Sequence, residues 1–275
     1  WELQRALDIY PNNSRFEVKF VDSKELDITN QNAVEQLITQ FKPALVINPA
    51  AYTAVDKAES EPEAAFAVNE IGVRNIAVAC KAQGAKLIQI STPYKPTDIT
   101  NPLGVYGASK LAGEQQALAI LQDDVSIVRT AWVYSVHGSN FVKTMLRLMQ
   151  EKDQLGVVSD QIGTPTNAKN LALALWDLAE RMLDSKANTE RIYHWTDLGT
   201  ASWYDFAVAI QDIALNNDIL KKNIPILPIS SSEYPAPAKR PAYSVLDTKA
   251  LRDESGKTGE HWRAALTQMI KELSK

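Results

Sequence analysis

Tyr106 and Lys110 are the residues whose types and spacing best fit chemistry. Residues from Tyr106 to Leu121 are strong helix formers with an apolar stripe, which predicts a helix. On a helix, side chains four apart share one face, so the phenol and the ammonium would point the same way. A close cation favours the ionised phenol, and a fall of about three pKa units, or roughly 4 kcal/mol, would suit a proton donor. A solvated helix face would show the same spacing, so the pair alone does not decide.

Predicted strands and helices alternate around this helix. We predict strands at 16–21, 44–48, 86–91 and 125–129, and helices at 1–10, 31–41, 63–83 and 106–121. This alternation predicts an α/β fold with a parallel sheet covered by helices on both faces. The cofactor site of such a sheet lies at the carboxyl ends of its strands.

Composition excludes several classes of function. The chain has 275 residues, 45% of them hydrophobic, and a net charge of −4 without a basic stripe or a polybasic run, which argues against nucleic acid and membrane partners. No apolar run reaches the roughly 18 residues that a membrane span needs. Cys80 is the single cysteine and is expected to be a packed, inert thiol. His137, His194 and His261 are scattered, so we predict no metal site. Without a membrane span or a disulfide, a cytoplasmic location is the default expectation.

Five separated segments carry a resemblance to a known family. Residues 106–114 resemble the active-site helix of extended short-chain dehydrogenase/reductases. The preceding strand ends in Ser91-Thr92, where that family has a hydroxyl that hydrogen-bonds the substrate carbonyl. Four further segments resemble bacterial dTDP-4-dehydrorhamnose reductases, in the expected order: 48–59, 129–134 with 140–141, 160–166 and 240–247. Because they span nearly the whole chain, the sequence is identified as a member of this family.

The resemblance implies a fold and a reaction. It implies a Rossmann-type, doubly wound cofactor domain at 1–136 and 160–196, with a smaller substrate-binding domain at 137–159 and 197–275. The reaction would be reduction of the 4-keto group of dTDP-4-dehydro-L-rhamnose to dTDP-L-rhamnose, with NADPH or NADH as cofactor. Tyr106 would give the oxygen a proton, and Lys110 would hold the nicotinamide ribose and lower the pKa of Tyr106. Thr92 would orient the carbonyl.

The cofactor residues that the resemblance implies begin at the end of the strand predicted at 16–21. Asp27 and Ile28 would hold the adenine, although Asp27 could simply shape the turn before a helix capped by Thr29 or Asn30. Asp22 closes the strand, where an acid usually grips the ribose hydroxyls of NAD and repels a 2′-phosphate. Ser23, with Lys24, could instead receive that phosphate. The cues conflict, so the choice between NADH and NADPH stays open.

A second group of expected ligand residues follows the buried strand at 44–48. Ala50, Ala51 and Tyr52 would let the backbone approach the cofactor, and Thr53 and Val55 would face the sugar. The alternative is an ordinary strand-to-helix loop. Asp56 and Glu59 are expected to favour a helix N-terminus electrostatically.

Three later residues complete the predicted substrate site. Trp132 would stack on the nucleotide-sugar by resemblance, whereas by residue type alone it belongs to a core. Asn140 lies in one of the matching segments. Arg240, beside Lys239 in a Pro-rich loop, could clamp a diphosphate or be a solvated charge.

Three departures from the family pattern carry expectations. The sequence has no Gly-x-x-Gly-x-x-Gly turn, and Trp1–Leu7 is the kind of run that follows that turn in the family. We therefore expect a first strand and its loop to precede Trp1 in the whole protein, and a second break between Thr92 and Pro93. Lys169 stands where some relatives carry a carboxylate that helps hold Mg²⁺ at a dimer contact. This difference puts both that metal and that dimer in doubt, and a homodimer is left open.

Two rival functions share these features. A nucleotide-sugar epimerase or dehydratase has the same fold and Tyr/Lys pair, but it returns the hydride to a bound cofactor. Related chains also act as non-catalytic regulatory subunits of a methionine adenosyltransferase. The intact Thr92, Tyr106 and Lys110 argue against the second rival.

Overall fold

Helices and strands alternate in the structure, a computed structural model that describes residues 1–11, 13–92, 104–184 and 190–274. The strands are β1 (Leu45–Asn48), β2 (Lys86–Ser91), β3 (Val125–Arg129), β4 (Val133–Tyr134), β5 (Leu155–Val158), β6 (Ile162–Gly163), β7 (Thr166–Asn167), β8 (Ile192–His194), β9 (Ala201–Ser202) and β10 (Ile226–Ile229). The α-helices are α1 (Glu2–Asp8), α2 (Gln31–Phe41), α3 (Val55–Ala58), α4 (Pro62–Phe66), α5 (Val73–Gln83), α6 (Val105–Leu121), α7 (Phe141–Glu151), α8 (Ala168–Leu183), α9 (Trp203–Asn216), α10 (Lys249–Ser255) and α11 (Trp262–Leu273). Short 3₁₀ turns lie at Asn13–Arg15, Gln122–Asp124 and Ser231–Glu233.

A parallel sheet with the order β1-β2-β3-β8 forms the centre of the fold. Apolar residues of its strands face both ways because helices cover both faces of the sheet. Ile88 and Val128 pack into a core with α1 and α8, whereas Leu87 and Ile127 pack into a second core with α2, α5 and α6. The predicted α/β class, with helices on both faces of a parallel sheet, is therefore confirmed.

The strand predicted at 16–21 is wrong. Phe16 and Val18 pack against the core over α8, as an apolar alternation would suggest. Within the described residues, however, no neighbouring strand pairs with this segment, and extended backbone becomes a strand only when its N–H and C=O groups meet a partner. The break predicted between Thr92 and Pro93 lies outside the described residues.

The helix predicted at 63–83 is interrupted by a π-helical turn, Ala67–Gly72, between α4 and α5. Such insertions are rare and often occur at functional sites. Here the backbone oxygen of Asn69 lies 2.0 Å from where a Cβ on Gly113 of α6 would be, so the two helices touch backbone to backbone. The turn places Asn69, which is fully buried, against α6.

A third core lies outside the main sheet. It joins α7, α9 and α11 with β5 and β10, and Phe206, Ile210 and Leu266 are fully buried in it. This core supports the predicted division into two domains, which stays a prediction. Leu251 of α10 lies within the predicted substrate domain but packs into the core over α8.

Three further features bear on function. Cys80 is fully buried, and burial raises the pKa of its thiol to about 12, as expected for an inert side chain. In the described part of the chain, no His, Cys, Asp and Glu side chains form a group of three that could hold a metal ion. Among the described helices, none has both the length and the hydropathy that crossing a bilayer would require.

Candidate active site

A cavity of about 840 Å³ opens at the carboxyl ends of the central strands. Parallel strands end at the same edge, so Pro49, Ser91 and Thr130, which follow or end β1, β2 and β3, meet there. The opposite wall comes from the part of the chain built on the third core, with Trp203 and the segments 238–241 and 243–246. The cavity therefore lies between two separately packed cores.

Helix α6 carries the Tyr–Lys pair into this cavity. It begins after Gly104, and the carboxylate of Glu59 accepts the Val105 N–H at 2.9 Å, which satisfies a free donor at the N-terminus. Tyr106 and Lys110 both line the cavity, one turn apart. The predicted role of Glu59 at a helix N-terminus is thus seen on α6, rather than on the short α3 next to it.

Lys110 is fixed at the end of β2. Its side chain is only 4% exposed, and its Nζ donates to the carbonyl oxygen of Ile90 at 2.8 Å. Burial lowers the pKa of the ammonium to about 8, and the negative charge of Glu114 opposes that fall. A buried, oriented cation thus lines the same cavity as the phenol.

The pKa of Tyr106 differs from the predicted direction. Burial raises it, and a side-chain hydrogen bond with Thr92 opposes that rise. The Lys110 ammonium, which donates to the Ile90 carbonyl, does not contribute to this shift. The hydrogen bond between Thr92 and Tyr106 does bring together the two hydroxyls of the predicted catalytic set.

Two buried polar contacts behind this set were missed from the sequence. The Asn69 side chain accepts from Tyr52 N at 2.9 Å and donates to Ser109 Oγ at 2.9 Å, and Ser109 Oγ donates in turn to Tyr106 O. On the other side of α6, Glu114 pairs with Arg129 at 2.6 Å. Asn69 in the middle of the predicted helix 63–83 was the available signal for the first contact, because a buried amide needs partners.

The cavity collects about half of the predicted site residues. It is lined by Thr92, Tyr106, Lys110, Ala51, Thr53, Val55, Trp132 and Arg240. The other predicted residues lie outside its lining: Asp22, Ser23, Asp27, Ile28, Ala50, Tyr52 and Asn140. The cofactor assignments of these residues and the substrate assignment of Asn140 therefore stay predictions.

Several of the outlying residues have local structural contacts. Asp22 accepts from Lys24 N at 2.8 Å, and Asp27 accepts from Thr29 N at 2.9 Å, so both shape turns. Asn30 caps α2, which decides between the two predicted caps. Asn140 caps α7 and donates to Ser135 O at 2.6 Å.

Arg240 reaches the cavity while paired with an acid on the other side. Its guanidinium lies 2.7 Å from Asp56 Oδ2, and the hydrogen bond from Arg240 holds the pKa of Asp56 below its usual range. Asp56 Oδ1 also accepts from Ala238 N at 3.2 Å. The contact ties the loop that bears Lys239 and Arg240 to α3.

Two hydroxyls beside Lys110 have no protein partner. Ser91 Oγ and Thr130 Oγ1 are buried, and neither has a hydrogen-bond partner in the described part of the chain. Both residues line the cavity, at the ends of neighbouring strands. Buried polar atoms are usually hydrogen-bonded, so these two positions are suited to a ligand.

Comparisons with known proteins agree with this geometry. The family described as RmlD substrate binding domain matches residues 1–275. A dTDP-4-dehydrorhamnose reductase of Aggregatibacter actinomycetemcomitans is 42% identical, over 96% of this chain and 94% of that protein. The crystal structure of a Clostridium acetobutylicum dTDP-4-dehydrorhamnose reductase superposes with a TM-score of 0.88 at 37% identity, covering 99% of this chain and 96% of that one.

A second solved relative was crystallised with a cofactor. The Bacillus anthracis dTDP-4-dehydrorhamnose reductase, in complex with NADP, superposes with a TM-score of 0.87 at 36% identity, covering 98% of this chain and 95% of that one. The likeness thus extends over the central sheet, the third core and the cavity between them. The chain belongs to the RmlD family, in which these relatives are dTDP-4-dehydrorhamnose reductases.

Proposed function

We propose that this protein reduces the 4-keto group of dTDP-4-dehydro-L-rhamnose to give dTDP-L-rhamnose, using NADPH or NADH. Family membership and the names of its relatives support the substrate and the reaction. The observation that carries the proposal is the meeting of Thr92, Tyr106 and Lys110 in one cavity. A ketone reduction needs one hydride on carbon and one proton on oxygen, and these side chains supply the proton side.

The residues present fit the nicotinamide half of such a cofactor. Lys110 offers a buried ammonium for ribose hydroxyls, and Ala51 leaves room beside it. The unpartnered hydroxyls of Ser91 and Thr130 add hydrogen-bonding capacity at the same edge of the sheet. When bound there, a reduced nicotinamide dinucleotide supplies the hydride.

The phenol of Tyr106 holds its proton at neutral pH and can give it to the keto oxygen as that oxygen becomes negative, although its raised pKa is not the fall toward neutral pH that would make it a stronger acid. Thr92, already hydrogen-bonded to the phenol, directs its hydroxyl to the same oxygen. Lys110 then stabilises the phenolate that remains after proton transfer. The three side chains act by positioning and by stabilising charge as it develops.

The test is an assay of the purified protein with dTDP-4-dehydro-L-rhamnose and either reduced cofactor. Loss of cofactor absorbance in proportion to dTDP-L-rhamnose formed is the expected result. An epimerase or dehydratase would change the sugar with no net cofactor consumption, and a regulatory subunit would change neither. Either outcome would overturn the proposal. Running both cofactors in parallel also decides between NADPH and NADH.

The proposed reaction also names the small-molecule partner. The small-molecule partner is the nucleotide-sugar, held on the side of the cavity that Trp132 and Arg240 line. The cytoplasmic location, the homodimer left open from the sequence and the absence of a nucleic-acid partner stay predictions.

A further inference from the structure

Trp132 lies in the wall of the cavity with a backbone conformation that its neighbours must enforce. We propose that Trp203 is a positioning residue, which holds the Trp132 ring in place as the surface against which the sugar binds. The inference rests on the proposed function and extends it to a residue whose ring stacks on that of Trp132.

The backbone of Trp132 is left-handed. Its φ is 51°, a region that residues other than glycine seldom adopt, least of all bulky ones. Strained residues of this kind persist only where the surroundings determine them, and they cluster at ligand sites. One constraint is a hydrogen bond, since the Trp132 carbonyl accepts from Thr166 N at 3.1 Å.

The second constraint is ring stacking. The centroids of Trp132 and Trp203 lie 3.6 Å apart with an interplanar angle of 12°, so the two indoles are in face-to-face contact. Phe141 supports Trp203 at 4.6 Å. Trp203 is the first residue of α9, where a capping box between Ser202 and Asp205 fixes the backbone.

The third constraint is a glycine. A Cβ at Gly163 would lie 2.6 Å and 2.8 Å from two atoms of the Trp132 ring, so only glycine leaves the ring its space. Gly163 of β6 pairs with Ala201 of β9, two residues before Trp203. One short ladder therefore provides both the residue that stacks on Trp132 and the gap that receives it.

This arrangement joins the central sheet to the third core. Trp132 follows β3 of the central sheet, but its ring packs with that of Trp203 against the third core, and both residues line the cavity with Tyr106 and Lys110. Displacing the Trp132 ring should therefore weaken binding of the sugar while leaving the Lys110 side of the cavity unchanged. The predicted effect falls on the KM of the keto-sugar and not on cofactor affinity.

The experiment compares Trp203→Leu, Trp203→Phe and Gly163→Ala with Gly156→Ala, a control glycine in β5 whose added Cβ would meet only the flexible side chain of Ile229 at 3.3 Å. Trp203→Leu and Gly163→Ala should raise the keto-sugar KM at least about tenfold, with a smaller change in kcat, because misplaced contacts cost binding and orientation. Trp203→Phe keeps an aromatic face, so its keto-sugar KM should lie between those of Trp203→Leu and Gly163→Ala and the wild-type KM expected for Gly156→Ala. The Kd for NADPH, measured by fluorescence titration, should stay the same in all four.

Circular dichroism gives a readout that is independent of turnover. Two indoles stacked at 3.6 Å should produce an exciton couplet, which Trp203→Leu abolishes and Gly163→Ala alters although both tryptophans remain. A wild-type KM in Trp203→Leu and Gly163→Ala would overturn the inference, as would a parallel rise of KM and of the NADPH Kd. If Trp203→Leu fails to fold, Gly163→Ala decides. If the wild-type protein binds dTDP and shows the couplet but does not reduce the keto-sugar, the proposed function fails, and dTDP affinity in the variants tests the positioning role.

Discussion

The guanidinium of Arg129 lies 2.6 Å from the carboxylate of Glu114, and the two side chains are only 4% and 1% exposed. Glu114 is one helical turn beyond Lys110 on α6, and Arg129 ends β3 beside Ser91 of β2. The pair thus joins the catalytic helix to the sheet that it packs on. Because Glu114 also opposes the fall in the Lys110 pKa, it links the packing of the helix to the charge of the site.

We expect Glu114→Gln to affect both stability and pH dependence. The change removes the carboxylate charge from the buried pair with Arg129, and removing one partner of such a pair typically costs about 3–5 kcal/mol of folding free energy. The pKa of Lys110, already lowered to about 8, should fall further, so the loss of activity on raising the pH should begin at lower pH. Urea unfolding and the pH profile of kcat/KM measure the two effects.

The matched control is Glu151→Gln, which removes a carboxylate from the exposed ion pair with Arg147. It should cost less than about 1 kcal/mol and leave the pH profile in place. Equal effects of the two substitutions on unfolding and on the profile would mean that the buried pair has no special relation to Lys110.

Tyr106→Phe is expected to lower turnover by about 10²–10⁴-fold, the usual contribution of general acid catalysis. The phenyl ring keeps the packing of α6, so the unfolding midpoint and the affinity for the reduced cofactor should stay close to the wild-type values. Steady-state kinetics and fluorescence titration measure them. Tyr234→Phe is the control, since Tyr234 is exposed and lies outside the cavity lining. Near-normal turnover in Tyr106→Phe would show that the proton comes from another group.

Lys110→Met should weaken cofactor binding and also slow the chemical step, because the ammonium serves both. The apparent pKa of the donor in the rate profile should rise, since the phenolate loses its neighbouring cation. Burial already raises the pKa of Tyr106, so the rise adds to an existing displacement. If Lys110→Met weakens cofactor binding without changing the single-turnover rate, Lys110 acts only in binding the cofactor.

Asp197 gives a prediction about stability and pH. It is buried after β8 and accepts from Asn167 N and the Asn170 side chain, and burial raises its pKa to about 7. From about pH 4 to pH 7 the unfolded chain is ionised at this position while the folded chain holds a proton, so wild-type stability contributed here falls as the pH rises. Asp197→Asn cannot ionise at this position, so its stability relative to the wild type should increase as the pH rises across that window.

The size of that gain follows from linkage, at about 1.4 kcal/mol per pKa unit. Thermal melts at pH 4, 5.5 and 7 should show the difference growing in favour of Asp197→Asn by roughly 3–4 kcal/mol. Asp153→Asn, an exposed aspartate paired only with Lys222, should track the wild type throughout. A difference between Asp197→Asn and wild type that does not change with pH would contradict the raised pKa.

Local sequence patterns predicted the elements that position the catalytic residues. Strands β2 and β3 and helix α2 lie where periodicity placed them, because continuous apolar runs and a capping asparagine are local signals. The segment 16–21 failed since a strand also needs a partner, which no local pattern reports. The prediction of one continuous helix at 63–83 was wrong for a similar reason. The π-helical turn at Ala67–Gly72 contacts Gly113 on another helix, which no local pattern reports.

The candidate site divides in the same way. Spacing and family resemblance predicted Thr92, Tyr106 and Lys110 together, and the cavity contains all three. Partners distant in sequence could not be predicted: Arg240 is 184 residues from Asp56, and Asn69 is 40 residues from Ser109. The direction of the Tyr106 pKa also depends on burial, which the sequence of one helix does not contain.

The last prediction concerns the surface of α8 around Lys169. Its ammonium lies 3.7 Å from Glu272, whose carboxylate also accepts from Arg5 at 2.6 Å, and Arg5 pairs with Glu2 as well. The carboxylates of Glu2 and Glu272 therefore already face two side-chain cations, which would repel a divalent ion at short range. We expect activity to be unchanged by EDTA and by added Mg²⁺.

Substitutions at position 169 make this prediction sharper. Lys169→Glu removes one cation and brings a third carboxylate toward Glu2 and Glu272, so Mg²⁺ should raise its Tm, because an ion that binds only the folded state stabilises it. Lys169→Met removes the same charge without adding an oxygen ligand and should show no such rise. Arg5 remains in both variants, so the difference between them reports the carboxylate alone. A several-fold stimulation of the wild-type enzyme by Mg²⁺, reversed by chelation, would show that the lysine does not keep the metal away.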